Sequence, residues 1–366
     1  MNLTKDTYEY LMNFADDRDI LNMLSVNKKL SDDSFFERVL KRKYPLLLKF
    51  KKENETFKHL YLRMIHYIAK LQEEFGIPYI PNPHFNPQTL YINNRFDELL
   101  YQYAGNMAAE IGDVKTVELM INKGAELDFL LYRAAKSGHL KLAEYLIEKG
   151  ADNFNQGLEG AAEGGHINLI NFFLEKGTVD YNTAMASAAK GGHMNIVNFF
   201  IEKGANNFNL AMFEAARGGN LEIVQYMINK GANDFNGALL RAATGDNFDV
   251  ILFLIDHGAT NLDLALYWAA GSGKLEVVKF LIEKGATNIQ TAMETAAEWG
   301  KISIVKYLLG KSSLSKERAF LLASANGKLN VVKYLHDLGV SNIEEALQLA
   351  KTHGHNHVSE YLKSVL

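Results

Sequence analysis

Between Asn261 and Gly285 the apolar residues fall into two groups with helical spacing. Ala265, Leu266, Ala269 and Ala270 stand at i, i+1, i+4 and i+5, a narrow stripe whose small side chains let neighbouring helices approach closely. Leu275, Val278, Leu281 and Ile282 follow at the spacing of a second amphipathic helix. Asn261 precedes the first group and predicts an N-cap, its side chain accepting an early backbone N–H. Gly273 separates the two helices, and Gly285 ends the second as a residue free to take positive φ. The pattern predicts a helical hairpin.

The hairpin recurs. Gly150, Gly177, Gly204, Gly231, Gly258 and Gly285 are 27 residues apart, and the same step lands on Ser312, Gly339 and Leu366. An earlier unit ends at Gly124, one residue out of register, which makes ten units over residues 97–366. Asn153, Asp180, Asn207, Asp234, Asn288, Ser315 and Asn342 recur at the cap position. A single hairpin cannot bury its stripe, whereas stacked neighbours make the core continuous, so stability accrues along the array and is weakest at its ends.

The segments AAKSGHLKLAEYLIEKGA at 134–151 and GNLEIVQYMINKGAN at 219–233 resemble ankyrin repeats. The resemblance implies an all-α, ankyrin-type helical-hairpin solenoid that binds other proteins on its concave side. The family unit is usually about 33 residues long, with a Thr-Pro-Leu-His helix start. Here alanine occupies the proline position at Ala184, Ala211, Ala238, Ala265 and Ala292. The shorter unit places the deletion in the β-hairpin finger between units, leaving the first helices to form the binding face.

Residues 1–75 lack the 27-residue period and read as a small N-terminal helical domain. Residues 76–96, with Pro78, Pro81, Pro83 and Pro87, read as an extended connector. Within the first segment, LMNFADDRDILNMLSVNKKL at 11–30 resembles an F-box, with an acidic turn at Asp16–Asp19 ahead of an apolar helix. Leu3-Thr4 stands where the family has Leu-Pro, Ala15 replaces a leucine and Leu30 a tryptophan. The resemblance implies that Leu11, Phe14, Ile20, Leu21 and Val26 bind a Skp adaptor and, through it, a cullin. The alternative is a helical cap on the first repeat. An F-box ahead of short ankyrin units is similar in organisation to proteins of large DNA viruses, which implies action in a host cell.

Composition narrows the class. Of 366 residues 48% are hydrophobic and 22% charged, without an apolar run long enough to span a bilayer, so no membrane partner is expected. The start MNLTKDTYEYLMNFADD is acidic early and is not a secretory signal. The absence of cysteine excludes disulfides and thiolate metal sites and fits a cytoplasmic or nuclear protein. A net charge of -4 supplies no basic field for nucleic acid. The basic run from Arg38 to Lys52 reads as the solvated side of short helices.

No catalytic set, cofactor or metal site is expected. Gly271-Ser272-Gly273-Lys274 continues with Leu275, and Gly310-Lys311-Ser312 has Val305 where a phosphate loop needs glycine. His139, His166 and His193 form a row, but equivalent atoms of stacked repeats lie too far apart to share a zinc; the resemblance implies loop hydrogen bonds instead. His353, His355 and His357 cluster at the chain end. Positions flanking the Ala-Ala pair of each first helix face outward once the stripe is subtracted. Arg133, Glu214, Arg217, Arg241, Tyr267, Trp268, Glu298 and Trp299 are therefore the candidate partner-binding residues, in a chain expected to be a monomer. Tryptophan and arginine dominate interface hot spots; the competing reading packs both tryptophans between units.

Overall fold

A computed structural model describes residues 37, 102, 104–177, 179–311 and 314–366. The N-terminal helical domain, the proline-rich connector and the adaptor-binding set from Leu11 to Val26 lie outside the described residues, as does the basic run from Arg38 to Lys52. The chain divides into two compact units, Met1–Gly157 and Leu158–Leu366. In the first, residues 104–111 are helical, and the helices Val114–Ile121, Leu127–Lys136 and Leu140–Glu148 follow. Phe154–Gly164 spans the division.

After the helix Ile167–Lys176, the second unit is a run of seven hairpins. They are Tyr181–Gly191 with Met194–Glu202, Phe208–Gly218 with Leu221–Asn229, Phe235–Thr244 with Phe248–Asp256, and Leu262–Gly271 with Leu275–Glu283. Ile289–Glu298 with Ile302–Lys311, Glu317–Ala325 with Leu329–Asp337, and Ile343–Thr352 with Asn356–Ser364 complete it. Each first helix packs on its own second helix and on the first helix of the next hairpin. No strand occurs among the described residues. The fold is an all-α helical-hairpin solenoid without the finger that a longer unit would carry.

The small-residue stripe is the core. Ala265, Leu266, Ala269 and Ala270 are wholly buried, and their counterparts Ala211, Met212, Ala215 and Ala216 repeat the arrangement. In the second helix the buried set is Val277, Val278 and Leu281, whereas Leu275 and Ile282 are half-buried. This corrects the expected stripe by one position. Leu275 is the first residue of its helix, and the outer helix is covered on one side only, so the inward stripe is as narrow as that of the first helix. Burying a leucine or valine contributes about 1.5–3 kcal/mol.

The cap positions stand where expected, but their hydrogen bonds differ. Asp180, Asn207 and Asp234 accept backbone N–H groups of the helices they open, and Asn153 accepts that of Gln156. Asn261, Asn288 and Asn342 make no such bond. Their ψ values of 54°, 56° and 52° differ from the 105°, 72° and 73° of the three capping residues, which turns the side chain off the helix end. Asn288 instead accepts the Thr291 hydroxyl at 2.6 Å. Ser315 lies before the cap residue Lys316, and its hydroxyl donates to Glu317.

A second set of side chains joins consecutive hairpins. Asn182, Asn209, Asn236 and Asp263, each the second residue of a first helix, accept two successive backbone N–H groups from the following interhairpin loop. Gln290 accepts one, from Ser315 at 3.0 Å, and in the first unit Asp128 accepts that of Asn153 at 3.3 Å. Loop donors that a finger would pair in a ladder are thus satisfied by a side chain. The loops themselves close through left-handed residues: Gly285 has φ +106°, and Asp246, at φ +64°, replaces the glycine of other units and pairs with Lys274 at 2.8 Å.

Candidate functional site

The Ala-Ala pairs of the first helices from Leu127–Lys136 to Ile289–Glu298 are fully buried, and beside them Arg133, Glu214, Arg217, Arg241, Trp268 and Glu298 are half-buried or exposed. In the first unit Arg133 reaches Glu110 at 3.0 Å. In the second, Lys190 bonds Glu163 of the preceding first helix at 3.0 Å, and Glu214 and Arg217 pair within one helix at 3.8 Å. Glu159, beside Glu163 and Asp180, is partly buried; desolvation holds its carboxyl above the ordinary value despite the Thr183 hydrogen bond and Lys190.

The hairpins that begin at Leu262 and Ile289 carry a different surface. Trp268 is 47% exposed and Trp299 42%, so neither is enclosed between hairpins. Tyr267 meets Trp268 edge-on, ring centroids 5.7 Å apart. Leu264, 43% exposed, stands four residues before Trp268 on the same helix face. Arg241 is exposed on the preceding first helix. Glu298 is half-buried next to Trp299, and Glu294 on that helix bonds Arg318 at 3.2 Å. Exposed apolar side chains of this size beside charged ones are what a candidate interaction surface needs.

Leu264 was not among the residues singled out from the sequence. The register gave no sign of it, because the equivalent positions hold Thr183, Leu210, Gly237 and Thr291, a second leucine among them. Trp299 has a packing explanation. In the equivalent places a Cβ on Gly191, Gly218 or Gly245 would overlap the carbonyl oxygen of Glu163, Lys190 or Arg217 of the preceding helix. Those hairpins accept only glycine there. Next along, Ser272 and Trp299 occupy these places, the indole lying near Gly271.

The histidines are loop ties. His139 Nε2 donates to the Glu110 carbonyl at 2.9 Å and His193 Nε2 to that of Glu163 at 3.1 Å. Asn220 and Asn247 take the same role with their amides. At the chain end His353 and His357 are bonded to the Leu349 and Gly327 carbonyls, and burial holds the His355 imidazole below its ordinary pKa. No group of three potential metal ligands occurs among the described residues. Lys274 and Lys311, the lysines of the two phosphate-loop lookalikes, are engaged by Asp246 and the Tyr307 ring. No described helix is long and apolar enough to cross a membrane.

Residues 158–238 and 239–319 match the family model for ankyrin repeats (3 copies). Each match spans 81 residues, three of the 27-residue units, so these two segments are ankyrin repeats. Such repeats form protein–protein interaction domains. Neither match extends to residues 1–75. The chain matches no curated protein.

Proposed function

We propose that the protein is a non-enzymatic interaction solenoid that captures a protein partner on its first-helix face, anchored by Trp268 and Trp299 and flanked by Arg217, Arg241, Glu214 and Glu298. The observation that carries this reading is the exposure of Leu264, Trp268 and Trp299, with half-buried Tyr267 beside Trp268, on and just after helices whose Ala-Ala pairs are fully buried. Anchor tryptophans at interfaces contribute about 2 kcal/mol or more each. Quantitative affinity capture with the wild-type chain and with Trp268→Ala plus Trp299→Ala tests it. A partner lost from the double variant supports the reading, and an unchanged set of captured proteins contradicts it. Arg133 belongs to the other compact unit and is a secondary candidate.

A finer reading makes the chain a substrate receptor. The F-box resemblance at 11–30 supports recruitment of a Skp adaptor and a cullin by Leu11, Phe14, Ile20, Leu21 and Val26, so that the captured protein becomes a ubiquitylation substrate. The receptor would act in the cytoplasm or nucleus, in a host cell if virus-encoded. Co-purification of adaptor and cullin with the full chain, abolished by Ile20→Ala with Leu21→Ala, is the expected result. Well-folded protein without adaptor leaves a non-degradative scaffold or inhibitor, with residues 1–75 as a cap.

A further inference from the structure

The outer helices carry a regular ladder of rings and lysines. Tyr145, Phe172, Phe199, Tyr226, Phe253, Phe280 and Tyr307 stand at the same place in successive units; His257 stacks on Phe253, and each of the other six rings has the lysine four residues later over it, at 4.9–5.6 Å. An acid precedes that lysine in Glu148-Lys149, Glu175-Lys176, Glu202-Lys203 and Glu283-Lys284, and Asn229 stands there before Lys230. From Gly310 to Leu338 both features change together. Gly310 replaces the acid, Leu338 replaces the ring-covering lysine of the next unit, and a groove opens between the helices Ile302–Lys311 and Leu329–Asp337.

The groove has an apolar floor and a cationic rim. Leu309, Tyr334 and Leu338 form the floor, and Leu338 is 41% exposed. Lys306, Lys311 and Lys316 form the rim: Lys306 Nζ lies 5.0 Å from the Tyr334 ring, Lys311 Nζ 5.6 Å from that of Tyr307, and Lys316 Nζ donates to the Leu338 carbonyl at 3.0 Å. Lys306 has lost its neutralising acid by substitution: Lys279, its equivalent, pairs with Glu276 at 2.7 Å, but Ser303 stands where that glutamate would be. Glu317 is bonded to the Ser315 hydroxyl and also acts on Lys316, so Lys306 and Lys311 carry most of the rim's charge. Three lysines thus line an exposed apolar groove, a combination that complements an apolar side chain bracketed by carboxylates.

We propose that this groove is a second docking site, separate from the first-helix face, for a short acidic peptide segment of a partner protein in which Asp or Glu flanks a leucine or phenylalanine. The apolar side chain covers Leu338 and Tyr334 while its neighbouring carboxylates meet Lys306, Lys311 and Lys316. Affinity falls with added salt, because the rim is exposed.

Selection of short random peptides on the full chain, followed by binding measurements on synthetic copies, tests the site. The expected result is a family of acidic, leucine- or phenylalanine-bearing peptides. Their affinity drops about tenfold or more with Lys306→Glu plus Lys311→Glu, a change of about 1.4 kcal/mol or more, and is unchanged by Trp268→Ala plus Trp299→Ala. Lys306→Gln plus Lys311→Gln, with melting temperature measured alongside, gives the same direction should the charge reversal disturb folding. Absence of an acidic family, or acidic peptides that keep their affinity for both lysine variants, overturns the proposal. Phosphatidylserine vesicles that bind in place of any peptide, and lose binding in the lysine variants, also overturn it by assigning the groove to a lipid surface. Peptides lost only with the tryptophan change overturn the groove and leave the first-helix reading standing.

Discussion

Asp263 Oδ1 accepts the backbone N–H of Asn288 at 2.9 Å, and that of Thr287 as well, so one carboxylate at the start of the helix Leu262–Gly271 ties down the loop entering the helix Ile289–Glu298. These bonds, from Asn288 first and Thr287 second, hold the Asp263 carboxyl below the ordinary aspartate value. Asp263→Ala is expected to cost about 1 kcal/mol at neutral pH, below the usual range for bonds to a charged acceptor because the group is exposed. A folded-state pKa below the unfolded one gives stability that is present above the unfolded value and lost as pH falls through the folded one. The gap between wild type and variant in urea unfolding should therefore be full near pH 7 and shrink below about pH 4.

Glu159 has the opposite sign. Burial raises its folded pKa, so ionising it opposes folding, and its favourable contribution exists only below the unfolded value and is lost as pH rises through the folded one. Glu159→Gln is expected to match or exceed wild-type stability at pH 8 and to lose any advantage below about pH 4. Thermal melts of both chains at those two pH values check this; a variant that is less stable at pH 8 contradicts it.

Gly218 and Gly310 make a controlled pair. A Cβ on Gly218 would overlap the Lys190 carbonyl, whereas one on Gly310 has nothing within 4 Å. Gly218→Ala should destabilise by about 1–3 kcal/mol through forced separation of two first helices. Gly310→Ala, inside the helix Ile302–Lys311, should be neutral or stabilising by about 0.5–1 kcal/mol. Equal effects in urea unfolding would show that helix proximity does not select the glycine.

Hairpins, their period and the Ala-Ala stripe were legible because each is set by residues close in sequence and repeated many times. The one-position error at Leu275 and Ile282 arose because an outer helix buries only one side, which the spacing of its leucines does not reveal. The cap residues were visible, but whether Asn261 or Asn288 makes its bond depends on a difference of about 20° in ψ, which local sequence does not encode. The Asp263–Asn288 tie joins residues 25 apart, yet its mark, Asn or Asp recurring from Asp128 through Asn182, Asn209 and Asn236, lies in the same 27-residue register. On the candidate face, Trp268 and Trp299 followed from subtracting the stripe. Leu264 was hidden because a leucine reads as core until the helix is seen to present it beside Trp268.

If a partner is captured at the first helices Leu262–Gly271 and Ile289–Glu298, the chain carries its own probe there, because Trp268 and Trp299 are its only two tryptophans. The direct measurement is tryptophan emission and acrylamide quenching of the full chain, free and saturated with a partner obtained by affinity capture. The free chain should show solvent-exposed emission and ready quenching, as exposures of 47% and 42% require. The bound chain should show a blue shift with most of the quencher access lost. Emission and quenching that stay the same at saturation would contradict the account and place the binding surface elsewhere on the chain.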